Sequence, residues 1–435
     1  MALVILAVYL ILFLAIIVQS KFFAIRFFSK KWVVGLFFVK ILLGCAFYGI
    51  YEFYYVGNYD SKSTFSSSVE FYQLSKKNPR LFANLMLGKN DAATLAAGQQ
   101  LNHAWQREYE QNIINENRTV LRVNALLNFI SFHYYPVHIL MMCFFAFCGS
   151  FFLYHFFNPQ TKTENYIAIG ALFLLPTALF WTSGILKEPL FFLAMSGFLF
   201  FLQRSLQKYK MIDMILALLF AVMMLYTRVY FAIVMMLLAI VYVICHFWQG
   251  KEWKKYGFVM IVGLWIVVTL NLFYAGSSFD VIGMLTNKNH NFIAVETQLF
   301  DGLDMKVPHL DGTISSFFIN APRAFYNAVM APKPVSSWLE GYVFAENLFL
   351  ALSLLTTILF LCMKKVKMDN KMIFLFCFCM VVLLLIGYTT PNAGAVCRYK
   401  SVILPVWTYI LFIPLANMRN ANLESKAEKV ETDME

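Results

Sequence analysis

Long apolar stretches alternate with short polar segments along most of this chain. A helix of about 20 apolar residues crosses the hydrocarbon core of a bilayer, which is ~30 Å thick. Eleven stretches approach that length, so the sequence predicts an all-α polytopic membrane protein with about 11 transmembrane helices. We expect the two shortest stretches, 189–203 and 402–417, to extend or tilt. The helices are predicted near residues 2–19, 33–55, 135–157, 165–183, 189–203, 211–227, 229–247, 257–275, 343–362, 372–389 and 402–417.

Basic residues in the short connections give the predicted helices a direction. Lysine and arginine cluster at 21–31, 204–210, 251–255 and 364–371, which are alternate connections. Because cytoplasmic loops are enriched in these residues, all four clusters are assigned to the cytoplasmic side. The N-terminus is then outside the membrane and the C-terminus is cytoplasmic.

Two long polar segments lie outside the membrane in this arrangement. They cover about residues 57–126 and 276–342, and both are too polar to span but long enough to fold on the membrane surface. We therefore predict a single transmembrane helical domain over residues 1–417 with two long extracytoplasmic loops. Residues 418–435 are predicted to be a short charged cytoplasmic tail.

Composition supports the membrane assignment and narrows the possible partners. The chain is 60% hydrophobic and 14% charged, whereas a soluble domain is about 25% charged. The net charge of +11 belongs mostly to the cytoplasmic clusters, and no basic–aromatic face suited to nucleic acid is visible. The eight cysteines lie mostly in apolar stretches and lack zinc-ligand spacing, so we interpret them as packing residues and predict no metal site.

Polar side chains lie at the predicted outer ends of the helices. Because polar and ionisable groups at membrane depth cost free energy, each of them is a candidate functional residue. Asp60 follows the second helix, where it is either a general base for an acceptor hydroxyl or an ordinary interfacial residue in a turn. Lys187 and Glu188 either bind a ligand through their cation and carboxylate, or form a structural ion pair in a hairpin between two helices. Arg228 suits bidentate phosphate binding, or it snorkels to lipid headgroups.

Three more candidates lie near the last outer connection. Arg398 and Lys400 are outside, against the positive-inside trend, which favours a specific anionic partner. The preceding turn at 392–394 offers backbone N–H groups for an anion nest. Glu346 lies just inside the ninth predicted helix. There it either pairs electrostatically with one of these cations or makes a structural hydrogen bond between helices.

Taken together, these segments resemble the GT-C class of membrane glycosyltransferases, including the protein mannosyltransferase-like and aminoarabinose transferase-like groups. The resemblance has three parts: an acidic residue at the head of the first long outer loop, a mid-chain turn, and a segment that opens the last helix. The matching residues are Asp60; Pro176, Trp181, Ser183, Gly184, Lys187 and Glu188; and Gly394, Arg398, Tyr399, Lys400, Leu404 and Pro405.

The resemblance implies a transferase that uses a polyprenyl-phosphate-linked sugar at the outer membrane–water interface. It implies that Asp60 is the catalytic base and that basic residues hold the donor phosphate. No cofactor is firmly implied, and no motif supports a divalent metal ion. The full set of predicted substrate-binding residues is Lys187, Glu188, Arg228, Glu346, Arg398 and Lys400.

The sequence leaves other functions open. A polymerase or ligase of lipid-linked surface polysaccharides would share this topology and its external arginines. A transporter or flippase of an anionic lipid or glycan predicts inverted repeats and broken helices near the midplane, and we find no repeat. A non-catalytic scaffold of the cell envelope is the remaining alternative. We expect a location in a bacterial inner (plasma) membrane, with the sugar, the acceptor and the oligomeric state undetermined.

Overall fold

A computed structural model shows a chain built from α-helices. Short 3₁₀ and π-helical turns accompany the first two helices, and the described residues contain no β-strand. They divide into two compact units, Met1–Ile233 and Val234–Glu435. The structure describes residues 2–54, 60–89, 91–100, 116–248, 257, 263, 280–299, 305–332, 338–363 and 368–416.

The first unit surrounds one deeply buried helix. This helix, Tyr135–Phe157, has 78% of its most apolar window buried and packs against its neighbours Lys30–Gly49 and Lys187–Lys208. The helices of the unit are α1 Ala2–Gln19, α2 Lys30–Gly49, α3 Asp60–Lys77, α4 Pro79–Met86, α5 Ala92–Gln100, α6 Glu116–Ser131, α7 Tyr135–Phe157, α8 Lys162–Phe173, α9 Pro176–Trp181, α10 Lys187–Lys208, α11 Met211–Thr227 and the start of α12, Val229–Phe247.

The second unit contains a close contact between two helices, α14 and α16. Gly387 of α16 lies against the backbone of Ala324 of α14, so that a Cβ atom at Gly387 would overlap the Ala324 carbonyl. A glycine is therefore required there by packing. The described helices of this unit are the remainder of α12, α13 Val281–Leu299, α14 Ile314–Met330, α15 Trp338–Cys362, α16 Asn370–Thr389, α17 Ala393–Lys400 and α18 Leu404–Ala416.

Among the described residues, six helices are long and apolar enough to cross a bilayer. A seventh crossing results if α17 and α18, which are bent by 63° relative to each other, form one broken span. The protein is therefore a helical membrane protein, as predicted. Helices α1 and α11 are apolar but shorter, and the predicted helix at 257–275 lies outside the described residues except for residues 257 and 263. The six spans are Lys30–Phe53, Tyr135–Phe157, Lys187–Lys208, Val229–Phe247, Glu340–Cys362 and Asn370–Thr389.

The predicted helix at 165–183 is broken into two pieces. Helix α8 ends at Phe173, and α9 begins with Pro176 as its first residue. Proline has no N–H to donate, and it pushes the preceding residue out of the helical region. Leu175 is accordingly extended, with φ −73° and ψ 110°.

Two lysines of the first unit reach the carbonyl groups that end other helices. Lys30 donates to the carbonyls of Ile17, Ser20 and Phe23 at 2.6–2.9 Å, around the end of α1. Lys40 donates to the Leu179 carbonyl at 2.9 Å and to the Thr182 hydroxyl at 2.6 Å, at the end of α9. The last carbonyls of a helix have no partner within it, so these ammonium groups act as C-terminal caps.

The two predicted outer loops contain helices of their own. Helices α3 to α6 lie within or overlap residues 57–126, and α13 and α14 lie within residues 276–342. Helices α3 and α6 pack against each other, with Phe71, Leu85, Leu121 and Ala125 in a buried apolar core. The first of these segments therefore folds as a small helical layer.

Candidate functional site

A buried ion pair joins the beginning of α10 to the end of α11. Glu188 lies in the first turn of α10, where a carboxylate is favoured by the helix dipole. Arg228 directly follows α11, and its guanidinium donates to Glu188 Oε1. The exposed fractions of the two side chains are 0% and 8%. The structure therefore brings together two of the predicted substrate-binding residues.

Glu116, the first residue of α6, extends this pair into a cluster. Its Oε2 accepts a hydrogen bond from Lys187 Nζ at 3.0 Å, and its Oε1 accepts one from the backbone N–H of Val229 at 3.1 Å. Glu116 thus bridges the beginnings of α10 and α12. We call Glu116, Lys187, Glu188 and Arg228 the charged cluster.

Two arginines on α6 add positive charge beside the charged cluster. Arg118 and Arg122 lie one helical turn apart, on the same helix as Glu116. Arg122 is buried and donates from Nε to the Leu85 carbonyl at 3.1 Å. Burial, followed by the charge of Arg118, lowers the pKa of Arg122 to about 10, against an opposing effect of Tyr226. The guanidinium remains charged at neutral pH, so among the described residues named here four cations accompany two carboxylates.

Asp60, the predicted catalytic base, is the exposed first residue of α3. The next residue, Ser61, hydrogen-bonds through its hydroxyl to the phenol of Tyr135 at 2.7 Å. Tyr135 packs against two apolar clusters that contain Ile185 and Leu186, which directly precede Lys187. A short series of contacts within the first unit therefore links the beginning of α3 to the beginning of α10.

The turn before Lys187 is filled by aromatic side chains. The ring of Phe47 occupies the space above Gly184, where no Cβ atom would fit. Phe47 stacks on Tyr51 with ring centroids 4.5 Å apart, and Phe180 lies 5.3 Å from Phe47. This packing gives the residues before the charged cluster a fixed position.

A buried polar network lies beneath the helical layer. His138 of α7 is hydrogen-bonded through Nε2 to the Ser131 hydroxyl at 2.6 Å and through Nδ1 to Asn124 Oδ1 at 2.7 Å. The Asn124 amide nitrogen donates to the Val120 carbonyl, so its oxygen faces the ring and assigns the proton to Nδ1. Because all three side chains are buried, this network ties α6 to the beginning of α7.

In the second unit, the Lys400 ammonium is surrounded by oxygen atoms of the protein. Its ammonium lies 2.8–3.3 Å from the carbonyls of Ala328, Val329 and Ala331 and 2.9 Å from Asn347 Oδ1. It therefore caps the end of α14. Glu346 of α15 is half-buried and interacts electrostatically with Lys400. Its assignment to substrate binding stays a prediction.

Arg398 is half-buried on α17, two residues before Lys400. At the beginning of this helix, Asn392 accepts a hydrogen bond from the Ala395 N–H at 2.9 Å and donates to Glu296 at 2.8 Å. The N–H group of Ala395, which directly follows the turn at 392–394, is thus occupied by the Asn392 side chain. The assignment of Arg398 to a substrate stays a prediction.

Sequence patterns did not reveal Glu116 or Arg122 as members of the site. Both lie in the long polar segment 57–126, and Glu116 contacts residues 71 and 113 positions away. The available signal was the spacing of Arg118 and Arg122, which puts them on one face of a helix. Among the described residues, no group of three or more His, Cys, Asp or Glu side chains is suited to hold a metal ion.

Comparison with protein-family models, with curated proteins and with solved structures finds no match to this chain.

Proposed function

We propose that the protein is a membrane glycosyltransferase that moves a sugar from a polyprenyl-phosphate donor to an acceptor on the extracytoplasmic side. The observation that carries this proposal is the charged cluster with Arg118 and Arg122 beside it, because these described residues place more cations than carboxylates at the ends of apolar helices. Such a site suits a phosphate group attached to a lipid. The GT-C-like motifs of the sequence favour the same activity.

The proposed topology has eleven crossings, with the N-terminus outside the cell and the C-terminus in the cytoplasm. It places Glu116, Lys187 and Arg228 on the outer side, and the contacts among these connections support their sharing one side. A bacterial inner membrane is the proposed location. Residues 57–126 and 276–342 are then the two extracytoplasmic loops.

The broken pair α8–α9 is proposed to be one of these crossings because it runs along the span that contains α2. Near its beginning, Tyr166 of α8 packs against Phe28, just before α2, with ring centroids 5.4 Å apart. At its end, Trp181 packs against Tyr51, just after α2, at 6.5 Å. The pair therefore covers the same distance as a helix that is long enough to span.

In the proposed reaction, the Asp60 carboxylate removes the proton of an acceptor hydroxyl. The acceptor oxygen then forms a bond to the anomeric carbon, and the bond from that carbon to the phosphate oxygen breaks. Its electron pair leaves with the polyprenyl phosphate. Lys187 and Arg228 stabilise the charge that develops on this leaving group, while Glu116 and Glu188 hold the two cations in fixed positions.

The test is sugar transfer from a labelled polyprenyl-phosphate donor by the full chain in proteoliposomes. We expect Asp60→Asn to keep donor binding but to lose transfer about 100-fold or more, since general base catalysis contributes about 10²–10⁴-fold. Lys187→Gln and Arg398→Ala should weaken donor binding. Lys62→Gln is the matched control, because Lys62 is an exposed cation near Asp60 that pairs with Glu52.

Full activity in both Asp60→Asn and Arg398→Ala would overturn the site assignment. Transfer of complete lipid-linked oligosaccharides, but not of single sugars, would instead identify a polysaccharide polymerase or ligase. Movement of the labelled lipid across the bilayer without bond cleavage would identify a flippase. The three activities are distinguished by the products of one assay.

A further inference from the structure

Four exposed cations occur within fourteen residues at the junction of α3 and α4. They are Lys76, Lys77, Arg80 and Lys89, and no acidic residue occurs between Glu70 and Asp91. None of the four forms an ion pair with a side chain in the described part of the protein. Their charge therefore faces the surroundings of this helical layer.

Exposed apolar side chains lie at the end of α6. Leu126, Phe129 and Phe132 are 50%, 49% and 61% exposed, and the membrane-spanning helix α7 begins three residues after Phe132. Exposed apolar groups that adjoin a span are expected at the boundary between headgroups and acyl chains, where contact with lipid removes them from water.

Ring contacts join the cations to this apolar surface. Lys76 Nζ lies 5.0 Å above the ring of Tyr72, and Tyr72 packs edge-on against Phe129 at 4.7 Å. Phe82 of α4, two residues after Arg80, lies 6.2 Å from Phe129. We call Tyr72, Lys76, Lys77, Arg80, Phe129 and Phe132 the basic–aromatic patch.

His133 adjoins this patch but adds no charge to it at neutral pH. Its ring lies 4.5 Å from that of Tyr72. Burial, together with the charge of Lys76, lowers the pKa of His133 from its ordinary value. The positive charge of the patch therefore comes from Lys76, Lys77 and Arg80.

We propose that the basic–aromatic patch binds the headgroup of an anionic phospholipid, with the acyl chains against Phe129 and Phe132. Charge complementarity selects the anionic headgroup, and the short connection between α6 and α7 keeps the rings close to the beginning of a membrane-spanning helix. A zwitterionic lipid offers no net charge to the three cations. This lipid site is separate from the charged cluster, and it does not depend on glycosyl transfer.

The experiment uses the full-length protein in phosphatidylcholine nanodiscs that contain a small fraction of photoactivatable phosphatidylglycerol. We expect the label to map to residues 126–133 and to be displaced by unlabelled phosphatidylglycerol but not by phosphatidylcholine. The variant with Lys76→Gln, Lys77→Gln and Arg80→Gln should bind at least about tenfold more weakly, because each basic residue near an anionic surface strengthens binding severalfold. The charge-retaining variant with Lys76→Arg, Lys77→Arg and Arg80→Lys should bind like the wild type.

Three results would overturn the proposal: equal labelling of the neutral variant, equal competition by phosphatidylcholine, or displacement by soluble glycerol phosphate. The last would indicate a site for free phosphate rather than for lipid. Should the neutral variant fail to fold, a salt titration of the wild type decides. Labelling that is unchanged at about 1 M salt, where the screening length is about 3 Å, contradicts an electrostatic site.

Discussion

Lys30, Lys40 and Lys400 show how single side chains stabilise helix ends in this protein. A membrane interior has no water to satisfy the last carbonyls of a helix. An ammonium group carries three donors on a flexible stem, so one lysine satisfies several carbonyls at once. A lysine in an apolar sequence is therefore as well explained by a neighbouring helix end as by an anionic ligand. For Lys400, the four oxygen atoms around its ammonium favour the first explanation.

Replacing Lys400 by methionine is expected to lower the free energy of unfolding by about 3 kcal/mol or more, because buried oxygen atoms lose a charged donor. Lys400→Arg should also destabilise, since a planar guanidinium does not fit a site built for a compact ammonium. The measurement is denaturant unfolding in detergent micelles. Lys208→Met at an exposed position is the control and should change stability by less than about 0.5 kcal/mol. Equal effects at the two positions would contradict the capping role.

For the Glu188–Arg228 pair, the cost of burying an unpaired charge can be measured separately from the attraction between the two charges. Glu188→Leu or Arg228→Met alone strands the opposite charge in a buried place and should cost about 3–5 kcal/mol of stability. The double variant should recover most of that loss, because no unpaired charge remains. A double-mutant cycle of unfolding free energies measures this. The exposed pair Glu52–Lys62 is the matched control and should contribute about 1 kcal/mol or less. Additive losses in the double variant would contradict the argument.

Contacts between helices are decided by small residues that a hydropathy pattern does not distinguish from lipid-facing ones. Gly387 and Gly35 both lie in apolar helices, but only Gly387 meets the backbone of another helix, at Ala324. A Cβ atom added at Gly35 would meet no described atom within 4 Å. The same residue type therefore has different roles in α16 and α2.

Gly387→Ala is expected to destabilise the protein by about 2–3 kcal/mol, because the added methyl group forces α14 and α16 apart. Gly35→Ala should instead be neutral or stabilising by up to about 1 kcal/mol, since alanine favours the helix. Both variants are compared by thermal unfolding in the same detergent. A loss of stability at Gly35 as large as that at Gly387 would show that helix packing is not the cause.

The sequence predicted a helix well where the apolar composition of that helix alone determines that it spans the membrane. Hydropathy located six spans within a few residues, because lipid exposure demands an apolar run whatever the neighbours are. Hydropathy alone did not show the interruption at Leu174 and Leu175; the signal for it in the sequence is Pro176, which has no backbone N–H to donate. The pairing of Glu116 with Lys187 and the capping of α9 by Lys40 were also missed. Such contacts join residues that are 71 and 139 positions apart, and no local pattern encodes them.

At the scale of the whole molecule, the number of crossings depends on the α8–α9 pair. Between Lys77 and Lys208 the proposed topology has three crossings, so the two residues lie on opposite sides of the membrane. If α8–α9 entered and left on one side, only α7 and α10 would cross, and the two residues would share a side. Sidedness at these two exposed positions therefore decides the topology of the first unit.

In a cysteine-free background, Lys77→Cys should react with a membrane-impermeant maleimide in intact cells, and Lys208→Cys only after permeabilisation. Lys89→Cys is the control and should behave like Lys77→Cys, because α3 and α4 belong to the same helical layer. Reaction of Lys77→Cys and Lys208→Cys from the same side would show that α8–α9 is re-entrant. The reverse labelling of the two sites would invert the proposed orientation.

The capping of α9 by Lys40 has a consequence for synthesis of the chain. Lys40 lies near the middle of the span Lys30–Phe53, where an unpaired lysine costs about 3 kcal/mol or more. Its acceptors, the Leu179 carbonyl and the Thr182 hydroxyl, are made 139 and 142 residues later. During synthesis of the chain, Lys40 therefore gains these two acceptors only after α9 has left the ribosome.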